Sequence, residues 1–236
     1  MHHTMLRLFF CLMISCLISM GDLHAERTIR VLHYGAPKDS QLKEVYIHGG
    51  GPESIHVLLN RYNFSPQHTI AKETKTLRIL PRLLAEDDPM PKAALSTNIP
   101  ADWQDTLLIL YHHPDNTDLP IKIYKINASK GVFNPGELYW INLSDVEIGG
   151  VVGGQKLRIG PRKTAVMKCP LGEIECTVKL DYLVKGETKT RGLIRQMWAI
   201  NKETRQVVII FNRPPPKYAS YYVLPFRDPP KPVAEP

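Results

Sequence analysis

Between Gly136 and Cys169 the chain cannot sustain a helix. Its apolar residues come in short runs, Leu138–Ile141, Val146–Ile148, Val151–Val152, Leu157–Ile159 and Ala165–Met167, cut apart by Gly, Pro, Asp and Asn. Runs of that length with that punctuation predict consecutive β-strands. Within them, Lys156-Leu157-Arg158-Ile159 alternates charge with apolar bulk, so one face of this strand meets water and the other a core. The double-glycine run Gly149–Gly154 leads into a strand and lacks the Lys-Ser/Thr pair of a phosphate loop. It predicts a tight hairpin with positive-φ glycines.

The same pattern extends in both directions. Upstream, strands are expected at Thr28–Tyr34, Glu44–His48, Ser54–Leu59 and Thr76–Leu80. Thr106–Tyr111, a continuous apolar run, reads as buried on both faces, with Ile121–Ile126 as its hairpin partner. Pro81–Pro100 is the longest irregular segment, since Pro89, Pro91 and Pro100 forbid a long helix. Downstream, Glu175–Val184 places Cys176, Val178, Leu180 and Tyr182 on one side. Leu193–Ile200 and Gln206–Phe211 flank Asn201–Arg205, a hairpin-length connection, and Tyr221–Phe226 is a last strand.

The strand series EVYIH, SIHVLL, TLRIL, TLLILY and IKIYKI parallels ELYWIN, VEIGGVV, KLRIG, GLIRQMWAI and QVVIIF, which suggests a duplicated unit. The expected class is therefore all-β, with two tandem immunoglobulin-like β-sandwich domains. Residues 26–130 form the first and 131–226 the second, joined through Ala128–Pro135, and 227–236 is a flexible proline-rich tail.

Residues 1–25 read as a signal peptide: Arg7, then the apolar Leu8–Met20, then Leu23-His24-Ala25 ahead of Glu26. An uncleaved anchor, or a lipoprotein signal around Met13-Ile14-Ser15-Cys16, are the alternatives. The mature protein is expected in the periplasm or secreted, with no later membrane-spanning stretch. Two cysteines then remain. Cys169 and Cys176 enclose six residues including Pro170 and Gly172, and in an oxidising compartment they are expected to form a disulfide. Closing so short a loop would contribute about 2–3 kcal/mol.

No reactive constellation stands out. There is no Gly-x-Ser-x-Gly elbow, and Asp87-Asp88 precede a proline in a loop. His112-His113 point to opposite faces of a strand end, so at most one could join Asp115 or Asp118 at a metal. His33, His48, His56 and His68 read as surface or half-buried side chains, and Trp103, Trp140 and Trp198 as core or domain-interface residues. No catalytic, cofactor or metal residue is assigned. The formal net charge is +7, and the basic residues Arg158, Arg162, Lys163, Lys168, Lys185, Lys189, Arg191 and Arg195 alternate with apolar ones on strands and turns. That spacing excludes a nucleic-acid reader, which needs clustered cations with stacking aromatics.

Several segments carry a resemblance. Tyr62-Asn63-Phe64-Ser65-Pro66, Ala101-Asp102-Trp103, Leu138–Leu143, Ile148-Gly149-Gly150, Gly153–Pro161 and Trp198 ahead of Val207–Phe211 resemble a loose set of exported bacterial β-rich proteins of unknown function. The likeness implies an exported β protein and no activity. At the level of fold alone the chain also resembles periplasmic pilus chaperones, although the paired Arg and Lys of that family have no matching motif here. The expected function is a non-enzymatic binding or structural protein of the cell envelope, its partner an unidentified protein or envelope polymer. The alternatives are a chaperone-like protein that pairs a strand edge with an exported partner, and an envelope hydrolase whose site is not legible in the sequence.

Overall fold

The structure is a computed structural model that describes residues 27–35, 41–49, 54–84, 88–89, 91, 94–113, 119–168 and 175–227. The expected signal segment 1–25, residues 36–40, residues 228–236 of the expected tail, Asp115, Asp118, Asp87 and Cys169 lie outside these residues. Sixteen strands, and no helix, are found among the described residues. The first eight are β1 (Arg27–Tyr34), β2 (Glu44–His48), β3 (Ser54–Leu58), β4 (His68–Ile70), β5 (Thr76–Leu80), β6 (Leu95–Asn98), β7 (Asp105–His112) and β8 (Ile121–Asn127). The second eight are β9 (Glu137–Asn142), β10 (Glu147–Val152), β11 (Gln155–Ile159), β12 (Thr164–Lys168), β13 (Glu175–Leu183), β14 (Arg191–Ala199), β15 (Thr204–Asn212) and β16 (Ala219–Arg227).

The topology of the first half is repeated in the second. The sheets β4-β1-β7-β8 and β3-β2-β5-β6 recur eight strands later as β12-β9-β15-β16 and β11-β10-β13-β14. Each half has one parallel pair, β1 with β7 and β9 with β15, in register from Thr28↔Asp105 and from Leu138↔Gln206. Parallel neighbours need a long crossover, and here the facing sheet is that crossover. The repeat pairs β2 with β10, β3 with β11, β5 with β13 and β7 with β15, one or two strands out of step with the alignment drawn from the sequence.

Three apolar cores stack four sheets into four layers. One lies inside the first sandwich (Val31, Val45, Ile47, Leu77, Ile79, Leu108), and another inside the second (Trp140, Ile148, Leu157, Val178, Leu180, Val208). The third joins the two inner sheets face to face through Leu32, Leu107, Ile109, Ile141, Val207, Ile209 and Leu224. Successive residues of a strand point to opposite faces, so Val31 serves the first core while Leu32 serves the seam. This explains the strand compositions. Strand β1 buries all eight residues, and β7 and β15 bury continuous apolar runs, because both faces of each meet a sheet. Strands β11 and β13 alternate because their outer faces meet water, with Cys176, Val178, Leu180 and Tyr182 inward.

Two expectations need correction. Asn201–Arg205 is not a hairpin: β14 pairs with β13 in the outer sheet, while β15 lies between β9 and β16 in the inner one. A link that short can reverse a strand or carry it across a sandwich corner, and β15, apolar on both faces, goes to the doubly covered layer. The irregular Pro81–Pro100 segment contains an edge strand, β6, and β4 is a further three-residue edge. Edge strands that short leave little periodicity to detect. The Gly153-Gly154 turn joins β10 to β11 with φ of 53° and 79°, as the double-glycine run predicts. Gly150 has a different role: a Cβ there would sit 2.1 Å from the Lys179 carbonyl oxygen on the neighbouring strand.

Candidate functional site

The connection between the halves is packed rather than loose. Phe133, within Ala128–Pro135, is fully buried in the seam core. Arg205, at the start of β15, is 5% exposed and donates hydrogen bonds to the carbonyls of Ala128 and Phe133. Its guanidinium also pairs with Asp105 at the start of β7, 3.0 Å away. Two guanidiniums lie over the Phe226 ring, Arg205 at 4.9 Å and Arg30 at 5.4 Å from its centre. A buried cation costs less where its donors are met, and carbonyls and a carboxylate answer the two terminal nitrogens here, with an aromatic face beside them.

On the rim of this seam, the segment linking β3 to β4 closes the edge of β1. The Asn60 carboxamide oxygen accepts from the backbone N–H of Tyr62 and Asn63 at 2.8 and 3.0 Å, an Asx turn that sets Arg61 and Tyr62 at its tip. Three residues on, Ser65 exchanges bonds with Val31: its N–H donates to the Val31 carbonyl, and its hydroxyl accepts from the Val31 N–H. Phe64 is thereby set edge-on against Phe226, with centroids 5.3 Å apart.

Two clefts flank this segment. The first, about 370 Å³, is lined by Tyr34, Gly35, Arg61, Tyr62, Phe211, Arg213 and Tyr222. Tyr34 meets Phe211 and Tyr222 edge-on, each at 5.7 Å, and the Arg213 guanidinium lies 5.5 Å from the centre of the Phe211 ring. Burial, with Tyr222 beside it, holds the Tyr34 phenol well above its ordinary range despite Arg213, so it stays neutral. Tyr62 is 66% and Tyr222 44% exposed, and among the described residues these are the two exposed rings of Phe, Tyr or Trp. None of the seven lining residues carries a carboxyl group. The second cleft, about 420 Å³, is lined by Arg30, Asn63, Phe64, Ser65, Pro66, Gln67, Pro225 and Phe226. Arg30 is almost fully buried there and donates to the Gln67 side-chain oxygen at 2.9 Å.

The residues singled out in the sequence lie elsewhere. His113 follows the end of β7, and His112 closes that strand. Among the described residues no group of three or more His, Cys, Asp or Glu could hold a metal. Asp88 pairs with Arg82 at 3.2 Å. His56 pairs with Glu44 at 2.8 Å and stacks on Tyr46, on the open outer face of the first sandwich. His33 departs from the expectation of a surface or half-buried side chain. It is 2% exposed, and burial, with Arg61, His112 and Lys43 nearby, pushes its pKa down to about 4. Trp140 is fully buried and stacks on Trp198 at 5.6 Å, while Trp103 packs against the first core. Arg158 and Arg162 are exposed and paired with Glu147 and Asp145. Cys176 is buried in the second core, and the expected pairing with Cys169 falls outside the described residues.

The seam cleft was missed because its residues come from positions 34, 61, 62, 211, 213 and 222, which no local pattern connects. One signal existed: Arg61-Tyr62 flanked by Asn60 and Asn63 reads as a turn that exposes an aromatic ring. Among the described residues no helix is long and apolar enough to cross a membrane. No protein-family model matches this chain, and no curated protein matches its sequence.

Proposed function

We propose that the protein is an exported, non-enzymatic binding module of the cell envelope, and that its first seam cleft holds an anionic ligand. One observation carries this reading. Tyr62 and Tyr222, the exposed rings among the described residues, stand beside two guanidiniums, Arg61 and Arg213, in one cleft. Exposed aromatic surface gathered at one place is a mark of a contact site, and a guanidinium fork matches carboxylate, sulfate or phosphate. Tyr34, Phe211 and Tyr222 all project from inner-sheet strands.

The test is retention of mature protein on immobilised polygalacturonate and polyglutamate, compared with the variant Arg61→Glu/Arg213→Glu. Loss of retention on at least one polymer, with an unchanged circular dichroism spectrum, is the expected result. Equal retention of both proteins would assign binding to the overall charge of +7 and remove the site.

A second reading, strand pairing with an exported partner, draws on β14, a nine-residue strand at the edge of its sheet. A partner whose amides become protected from exchange together with those of β14 would favour it. We also propose the Cys169–Cys176 disulfide. Cys176 is the second residue of β13 in the outer sheet, and Cys169 follows in sequence Lys168, the last residue of β12 in the inner sheet, so the bond would tie the two sheets together. Thiol titration of unfolded, unreduced mature protein should find none, and two reactive thiols would refute it.

A further inference from the structure

The two clefts share their walls. Arg61 and Tyr62 line the first and Asn63 to Gln67 the second, while β16 contributes Tyr222 to the first and Pro225-Phe226 to the second. Four residues of strand separate Tyr222 from Phe226, about 13 Å, so the pair forms a track longer than one monosaccharide.

Building on the reading above, we propose that this track binds an acidic polysaccharide, one sugar in each cleft. Charge is concentrated in the first cleft, where Arg61 and Arg213 face a carboxylate and the flat faces of Tyr62 and Tyr222 lie against sugar rings. The second cleft is chemically different. Its guanidinium, Arg30, is held by Gln67 and Phe226, and it offers the Asn63 and Gln67 amides, donors and acceptors suited to hydroxyls. An acidic peptide fits less well. A peptide laid along this track would add to the edge of β16, and Pro225 has no N–H to give to that ladder.

Calorimetric titration of mature protein with galacturonate oligomers of one to four units tests this, with the methyl-esterified tetramer and a tetraglutamate as competitors. The tetramer should bind at least about tenfold tighter than the monomer, and its ester about tenfold weaker than the acid. Tyr62→Ala should weaken every length, and Asn63→Ala should remove the gain between two and four units, both with unchanged melting temperature. Equal affinity for monomer and tetramer, or for acid and ester, would overturn the proposal. Tighter binding of tetraglutamate would overturn the glycan assignment and leave the anionic cleft standing. Binding of neither acid would overturn both.

Discussion

The inner and outer sheets of this protein differ in pairing and in what they bury: each inner sheet holds a parallel pair, and the outer sheets are antiparallel throughout. In the outer sheets, β11 and β13 bury every second residue and turn charge to water. In the inner sheets, β1 buries all eight of its residues, Arg27 and Arg30 included, and β15 buries Arg205. The difference teaches where the halves meet. A strand covered on both faces has no solvated side on which to place a cation, so each buried guanidinium must be answered locally. Arg27 shows this well: it donates to the carbonyls of Trp103, Lys72, Thr74 and Pro100. The seam is a third core, and the candidate site is its rim.

Truncation should separate the two kinds of sheet most sharply. Ile209, fully buried in the seam, changed to Ala should destabilise the protein by about 4 kcal/mol. Val151→Ala on the outer face of β10 should stay within about 0.5 kcal/mol. Urea denaturation measures both, and a cheap Ile209 truncation would mean that the inner sheets are not tightly joined. Next in size is the buried ion pair. Asp105→Ala leaves Arg205 buried without its carboxylate and should cost about 3 kcal/mol, whereas Glu147→Gln on the exposed Arg158 pair should leave the melting temperature unchanged.

A smaller effect should appear in pH dependence. Unfolded His33 takes up a proton near pH 6.5, whereas the folded side chain does so only near 4. Between those values the unfolded state binds more protons, so stability falls as pH drops from about 6.5 to about 4. The loss is on the order of 2 kcal/mol, and His68, also lowered by burial, adds in the same direction. His33→Leu should flatten the slope of stability against pH across that window. An unchanged slope would show that His33 is not protected.

Most strands were legible because period-two alternation and apolar runs are local properties. Glu44–His48 and Thr76–Leu80 coincide with β2 and β5. Partner choice was not local. Nothing in Asn201–Arg205 states that β15 leaves its neighbour in sequence to lie between β9 and β16, and the burial of β15 on both faces became a clue only once two inner sheets existed to cover it. His33 was misjudged for the same reason, since its burial comes from a facing sheet. The cleft was hidden more deeply, being assembled from the ends of β1, β15 and β16 and one Asx turn.

The central claim is that the two sandwiches share a core and so fold as one unit. Differential scanning calorimetry of residues 26–236 tests it directly. A single transition, with calorimetric and van't Hoff enthalpies equal, is the predicted result. Two separable transitions, one per half, would contradict it.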